Sequence, residues 1–356
     1  MKGKLLAIAL FLALLLPLAN STRGEGLRNY LDEERSSHME LMGYRNVSQF
    51  MALAETNPEI LCDELDMDYD QLDEILSRMP RVRFFDQVDP EEQPLGLLLE
   101  DEPRIVSYEE LLYQQPEYVD MNVVDLIPNC TPIRDQGNRG TCAAHSGVSF
   151  LEYEFVNYGG YDDLDLSEQY FFYACKQRDG SPDSDGTTMT AVRDVVKYDG
   201  TCLESTWSYN PNPTDDPAQG PAPDGAAEEA KGFVYPDVKY WGPFLKPSID
   251  TLKSYINDGH IISFGTAVYN SWYQSPETKR TGVVTMPLSG DTVAGGHAMD
   301  LVGYVDNTSY AGGGYFLLRN SWGEDWAYES VTGHPGYGII PYAYITNYWQ
   351  GGFTAA

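Results

Sequence analysis

Asp135-Gln136-Gly137-Asn138-Arg139-Gly140-Thr141-Cys142-Ala143-Ala144-His145 is the stretch from which the rest of the chain can be read. Glycines and a threonine lead a cysteine into a periodic run in which Val148, Leu151 and Phe155 share one face of a helix expected over residues 142–158. Gly159-Gly160 ends it. Cys142 therefore opens a helix, where unpaired backbone N–H groups favour an anion and lower a thiol's pKa. An isolated cysteine is by default a small buried core residue. Two later stretches change that reading. Gly295-Gly296-His297-Ala298 sets an imidazole between a Gly-Gly turn and an apolar run, and Arg319-Asn320-Ser321-Trp322-Gly323 sets an amide after another. A thiol, a base to take its proton and a third group to orient the base are the parts of nucleophilic catalysis.

The order of these parts and their neighbours resembles the papain family of cysteine peptidases, continuously from Pro116-Glu117-Tyr118-Val119-Asp120 to Ala356. The resemblance implies an α+β papain-like fold of two lobes. One is a helical lobe carrying the nucleophile helix, the other an antiparallel β-barrel-like lobe carrying the His and Asn, and the active site lies in the cleft between them. It implies Cys142 as nucleophile and His297 as the imidazolium that stabilises the thiolate and protonates the leaving amine. Asn320 would orient His297, Trp322 would shield that hydrogen bond from water, and Gln136 would donate to the oxyanion beside the nucleophile's own N–H. By the same resemblance Gly186 pairs its backbone with substrate, Gly296 sits beside the base, and Gly265 lines the pocket for the residue next to the scissile bond. His145 is a rival base only three residues past Cys142, and is read as structural or as a tuner of the site. His38, His260 and His334 are read as surface or turn residues. No cofactor and no metal is called for.

The chain departs from the family pattern at two positions near the nucleophile. Ala143 stands where a large aromatic is usual, and Arg139 replaces the cysteine usually found three residues before the nucleophile, so the family's first disulfide cannot form. The cysteine-to-histidine separation exceeds the family's roughly 130–150 residues, and the Pro-, Gly-, Ala- and Asp-rich segment 211–227 accounts for much of the excess.

The 356 residues are 42% hydrophobic and 13% aromatic, enough for a packed core of one large or two smaller domains. The net charge of −31 excludes nucleic acid as a natural partner, since phosphates would be repelled. It fits a strongly hydrated surface, or adaptation to salt or acid. Lys2 and Lys4 precede the apolar run Leu5–Leu16, and Pro17-Leu18-Ala19-Asn20-Ser21 follows, the pattern of a secretory signal peptide over 1–21. The run is short for a membrane span, so no membrane anchor is expected after cleavage. The product is expected to be secreted, or delivered to a periplasm, lysosome or vacuole. Export permits disulfides. Five cysteines leave at least one free if pairing is internal. Cys142 is the expected free thiol and Cys175–Cys202 the candidate pair, with Cys62 and Cys130 left open.

Residues 22–115 are acidic and partly helical. Helices are expected over Val47–Ala54 and Pro58–Met79, the second stopped by Pro80. This stretch is either an independent helical domain or spacer, or a prosegment that folds onto a peptidase domain at 116–356 and blocks it. Further on, Ser167 is the expected N-cap, in a capping box, of a second helix. A third helix is expected over Thr190–Tyr198, and strands over Ile261–Val268, Ala298–Tyr304, Tyr315–Arg319 and Tyr337–Ile340. The composite reading is a secreted, zymogen-type cysteine endopeptidase acting on proteins or peptides, inhibited by its own prosegment. The competing readings are a catalytically silent binding protein on the same fold, and a related acyl-transfer enzyme or amidase.

Overall fold

The computed structural model describes residues 25–80, 93–100 and 103–356, and the expected signal peptide lies outside them. Among the described residues up to 80 there are four α-helices: α1 (Glu33–Leu41), α2 (Val47–Thr56), α3 (Pro58–Glu64) and α4 (Tyr69–Arg78). The single helix expected over Pro58–Met79 is two. Asp66 takes a left-handed φ of 47°, and Asp68 starts a new helix through a capping box with Gln71. Val47, Phe50 and Leu53 of α2 are buried. The linkage to the rest of the molecule is explicit: Ser48 Oγ donates to Glu277 (3.1 Å), Met286 N to the Met42 carbonyl (2.8 Å) and Ser289 N to Glu64 (2.7 Å). His38, expected at the surface, instead pairs with Glu64 at 2.6 Å and stacks on Tyr108 at 3.8 Å. His260 likewise meets Glu154, at 3.0 Å, whereas His334 is exposed.

After α5 (Tyr108–Gln114) and β1 (Val123–Asp125), the helical lobe is built from α6 (Cys142–Tyr158), α7 (Glu168–Asp179) and α8 (Met189–Asp194). Helix α6 is buried all round from Cys142 to Glu154, more than the one apolar stripe read in the sequence requires. Small residues make this possible: a Cβ at Gly147 would lie 2.5 Å from the Phe171 ring. Ser167 caps α7 by accepting from Tyr170 N at 3.0 Å. The reciprocal half of the expected box is missing, because position N3 is a tyrosine. The third expected helix is regular only to Asp194, and a π turn over Val195–Asp199 carries it to Gly200.

The second lobe is a seven-stranded antiparallel sheet of β1 with β2 (Val238–Trp241), β3 (Ile262–Tyr269), β4 (Val293–Asp306), β5 (Gly314–Arg319), β6 (Tyr337–Pro341) and β7 (Trp349–Ala355). The order is β2-β7-β3-β4-β5-β6, with β1 added to β4. Strand β3 is buried along its whole length, the pattern of a strand covered on both faces. The four strands read from sequence are present, while β1, β2 and β7 were not anticipated.

The expected Cys175–Cys202 disulfide is absent, and all five cysteines are free thiols. Ser167 N donates to the Cys202 carbonyl at 2.9 Å, which fixes Cys202 beside the N-cap residue of α7. Cys175 lies eight residues further along that helix, about 12 Å at 1.5 Å per residue, beyond the roughly 7 Å that a disulfide can span between Cα atoms.

Candidate active site

The register of the sheet brings the separated motifs together. His297 on β4 lies opposite Thr266 on β3, and Asp300 on β4 opposite Arg319, the last residue of β5. Asn320 therefore emerges from β5 beside His297, and its Oδ1 lies 2.8 Å from His297 Nε2. Ser321 N donates to the same oxygen at 2.8 Å, which fixes the amide. Trp322 stacks on the imidazole, with centroids 4.3 Å apart and planes at 24°. Because Nε2 is engaged, His297 Nδ1 is the ring nitrogen left for chemistry, and it is buried without a hydrogen bond.

Cys142 begins α6 and faces β4, where Ala298 N donates to its Sγ at 3.4 Å. Gln136 is buried in the loop before the helix. Its Oε1 accepts from Ser321 Oγ (2.8 Å) and its backbone N donates to the Ser321 carbonyl (2.9 Å), which turns Nε2 toward the cleft. His145, the rival, points away from this chemistry: its Nδ1 meets the Thr141 carbonyl at 3.1 Å, and its ring stands edge-on to Tyr209. Among the described residues no cluster of His, Cys, Asp and Glu could hold a metal ion.

Residues 93–100 run through the cleft, a feature the sequence did not disclose. Leu97 N donates to the Gly296 carbonyl (3.1 Å), Leu98 N to the Thr187 carbonyl (2.9 Å), and Thr187 N to the Gly96 carbonyl (3.1 Å). Thr187, one residue past the expected Gly186, is thus the backbone that pairs in the cleft, while Gly186 N donates to the Gly140 carbonyl at 2.9 Å. Gly96 N donates to Cys142 Sγ at 3.2 Å, and Gln136 Nε2 to the Pro94 carbonyl at 2.8 Å. The glycines make room for this strand. A Cβ on Gly296 would fall 2.4 Å from the Leu97 carbonyl oxygen. One on Gly265 would fall 2.4 Å from Leu97 Cδ2 and 3.0 Å from Met189 Cγ, so Leu97 fills the space beside Gly265. A glycine among leucines, Leu95-Gly96-Leu97-Leu98-Leu99, was the available signal.

With the strand in place Cys142, His297 and Gln136 are fully buried, and burial governs the charges of the site. The Cys142 thiol is pushed up to about 11, and the His297 imidazole down to about 4 against the opposing help of Asn320. In this occluded state both groups are neutral near pH 7. His145 is pushed down to about 4 by the same cause.

The family model described as papain family cysteine protease matches residues 115–334. Over 236 residues the chain is 29% identical to an uncharacterized peptidase C1-like protein of Acanthamoeba polyphaga mimivirus, covering 64% of this chain and 70% of that one. It is 26% identical over 200 residues to cysteine proteinase 1 of Entamoeba histolytica, covering 55% and 57%. Among solved structures it is similar to xylellain, a cysteine protease from Xylella fastidiosa, at TM-score 0.57 and 23% identity over 76% of this chain and 98% of that one. It is also similar to procathepsin B S9 from Trypanosoma congolense, at TM-score 0.52 and 17% identity over 78% and 90%. With the family model covering more than half of its length, the chain belongs to the papain family of cysteine proteases and is a cysteine-type peptidase.

Proposed function

We propose that the chain is made as an exported zymogen of a cysteine endopeptidase, with a signal peptide at 1–21, an inhibitory prosegment at 22–115 and the peptidase at 116–356. Cys142 is the nucleophile, His297 its base and acid, Asn320 the orienting group and Gln136 the oxyanion donor. Once the cleft is open, the Cys142 proton passes to His297 Nδ1, and Sγ adds to the substrate carbonyl carbon. The oxyanion then takes hydrogen bonds from Gln136 Nε2 and the Cys142 N–H. The imidazolium returns its proton to the leaving amine as the C–N bond breaks. Water, deprotonated by the same ring, hydrolyses the thioester and restores the thiol.

The observation that carries the zymogen reading is the way residues 93–100 engage the site. Gln136 polarises the Pro94 carbonyl, which belongs to the Pro94–Leu95 bond, whereas the thiol receives an N–H from the next bond, Leu95–Gly96. The two halves of the machine are split across neighbouring peptides, so neither bond is presented for attack. The seat of Leu97 beside Gly265 and Met189 supports a preference for an aliphatic side chain in that pocket. No described helix is long and apolar enough to cross a membrane.

The test compares the full chain, the chain processed near residue 115 and a Cys142→Ala variant on peptide substrates. Processing should switch on cleavage of leucine-containing peptides, and Cys142→Ala should abolish it. Full activity in the unprocessed chain would overturn the zymogen reading. A processed enzyme that cleaves no peptide in a broad library would leave a silent binding protein, and transfer products would leave an acyl-transfer enzyme.

A further inference from the structure

The loop that carries Gln136 needs something to hold it. It contains Gly137 at φ +56° and a second glycine, Gly140, and the disulfide of the papain pattern is absent because position 139 is arginine. What lies against the loop is the segment 209–219, which leads into the Pro- and Asp-rich segment 211–227.

Two side chains fasten them together. The Tyr209 hydroxyl donates to the Gln136 carbonyl at 2.8 Å and pairs with Thr141 Oγ1 at 2.6 Å, so one oxygen ties both ends of the loop. The Arg139 side chain turns away from the cleft into the insertion and is 3% exposed. Its Nη1 donates to Gln169 Oε1 (2.7 Å) and to the Asn210 carbonyl (3.2 Å), and its Nε to Thr214 Oγ1 (3.0 Å). Its guanidinium lies 4.8 Å from the centre of the Phe172 ring. Gln169 is fixed in turn by Gln219, whose amide also holds the Asn212 and Pro213 carbonyls at 2.6 and 3.1 Å. Pro211 closes the contact, since a Cβ on Gly137 would lie 2.7 Å from its Cβ.

We infer that Tyr209 and Arg139 are positioning residues for the oxyanion donor, forming a hydrogen-bonded clamp that does the work of the missing disulfide. The inference rests on Gln136 serving as that donor. A donor is useful only where it already points at the developing charge, and removing one costs roughly 10²–10³ in kcat. Loss of the Tyr209 hydroxyl frees the Gln136 carbonyl without altering Cys142, His297 or the substrate-pairing backbone. Lysine could not replace Arg139, because three acceptors are met by a planar fork.

The experiment uses enzyme processed from the full chain with an added peptidase, so that impaired variants mature equally. Tyr209→Phe and Arg139→Gln should lower kcat on a peptide amide by about tenfold or more while KM moves less than about twofold, a loss confined to the transition state. Their reaction with 2,2′-dipyridyl disulfide, which needs the thiolate but forms no oxyanion, should keep the wild-type rate and pH profile. In a Gln136→Ala background, Tyr209→Phe should cost almost nothing further, because its effect passes through the removed side chain. Equal losses in both reactions, additive losses in the Gln136→Ala background, or an unchanged kcat in Tyr209→Phe would each overturn the clamp. Should Arg139→Gln fail to fold, Tyr209→Phe decides alone, as it removes a single oxygen. A Gln136→Ala enzyme with wild-type kcat is a distinct result: it would defeat the donor assignment and the clamp with it.

Discussion

Cys142 and His297 hold opposite burdens at the residue scale. The N-terminus of α6 and the hydrogen bonds from Gly96 and Ala298 favour a thiolate, yet burial outweighs them and the thiol stays protonated. The imidazole loses its proton for the same reason despite Asn320. The strand over the site thus leaves the pair uncharged as well as covered. In the full chain, alkylation of Cys142 by iodoacetamide should be slow at pH 7 and should rise along a curve with a midpoint near pH 11. Processing should shift that midpoint down by several units. A midpoint that is the same before and after processing would refute the link between occlusion and charge. These residues were legible because a Cys, His and Asn in such neighbourhoods leave few other roles. The roles of Tyr209 and Thr187 were not legible, since neither sits in a motif and both act through contacts to chain distant in sequence.

Gly96 connects residue to element. Its added Cβ would fall 2.2 Å from the Gly140 carbonyl oxygen, against backbone that has no freedom to give way. Gly96→Val should therefore lift the strand 93–100 from the cleft and raise the activity of the unprocessed chain by roughly tenfold for each 1.4 kcal/mol of docking lost. A variant as silent as the unsubstituted full chain would mean that another element keeps the site closed. Elsewhere, the elements followed their local signals where those signals were strong. Helix α6 spans the residues its periodicity predicts, and β3 to β6 lie where apolar runs between glycines placed them. The helix expected over Pro58–Met79 breaks at Asp66, because the apolar spacing runs on unchanged past the left-handed turn there and the capping box at Asp68. Strand β7 was missed because Trp349-Gln350-Gly351-Gly352-Phe353 carries two glycines, and it is a strand only because β3 and β2 flank it.

The whole molecule carries a pH dependence set by buried groups of opposite kind. Burial pushes Glu168 up to about 8, with Glu152 adding to the effect, and Asp300 up to about 7. The folded chain keeps protons that the unfolded chain has released, so the stability these neutral acids contribute is complete below about pH 4 and is lost as pH rises through 7–8. His145 and His297 act in reverse. Their neutral forms contribute fully above about pH 6.5, and that contribution is lost as pH falls through about 4. Between about pH 4.5 and 6.5 the two slopes oppose one another, so these four groups together give a plateau there and a decline as pH rises through 7–8. Glu168→Gln, which imitates the protonated acid, should raise the melting temperature at pH 8 and leave it nearly unchanged at pH 5. Equal shifts at both pH values would show that the Glu168 charge is not being suppressed in the fold.

The sequence by itself determined the family, the two-lobed α+β class and the identity of the Cys, His, Asn and Gln that meet in the cleft. Those features are written as residue type and local order, which survive without knowledge of long-range contacts. The tertiary structure decided what stands between them. It set Leu95–Leu99 across the thiol, left all five cysteines unpaired, with Cys175 about two turns of α7 beyond the Ser167 end where Cys202 sits, and brought Tyr209 and Arg139 to the loop that holds Gln136. Each of these depends on pairing between segments tens of residues or more apart. Such pairings are selected by the burial and hydrogen-bond satisfaction of the whole chain, which no local pattern encodes.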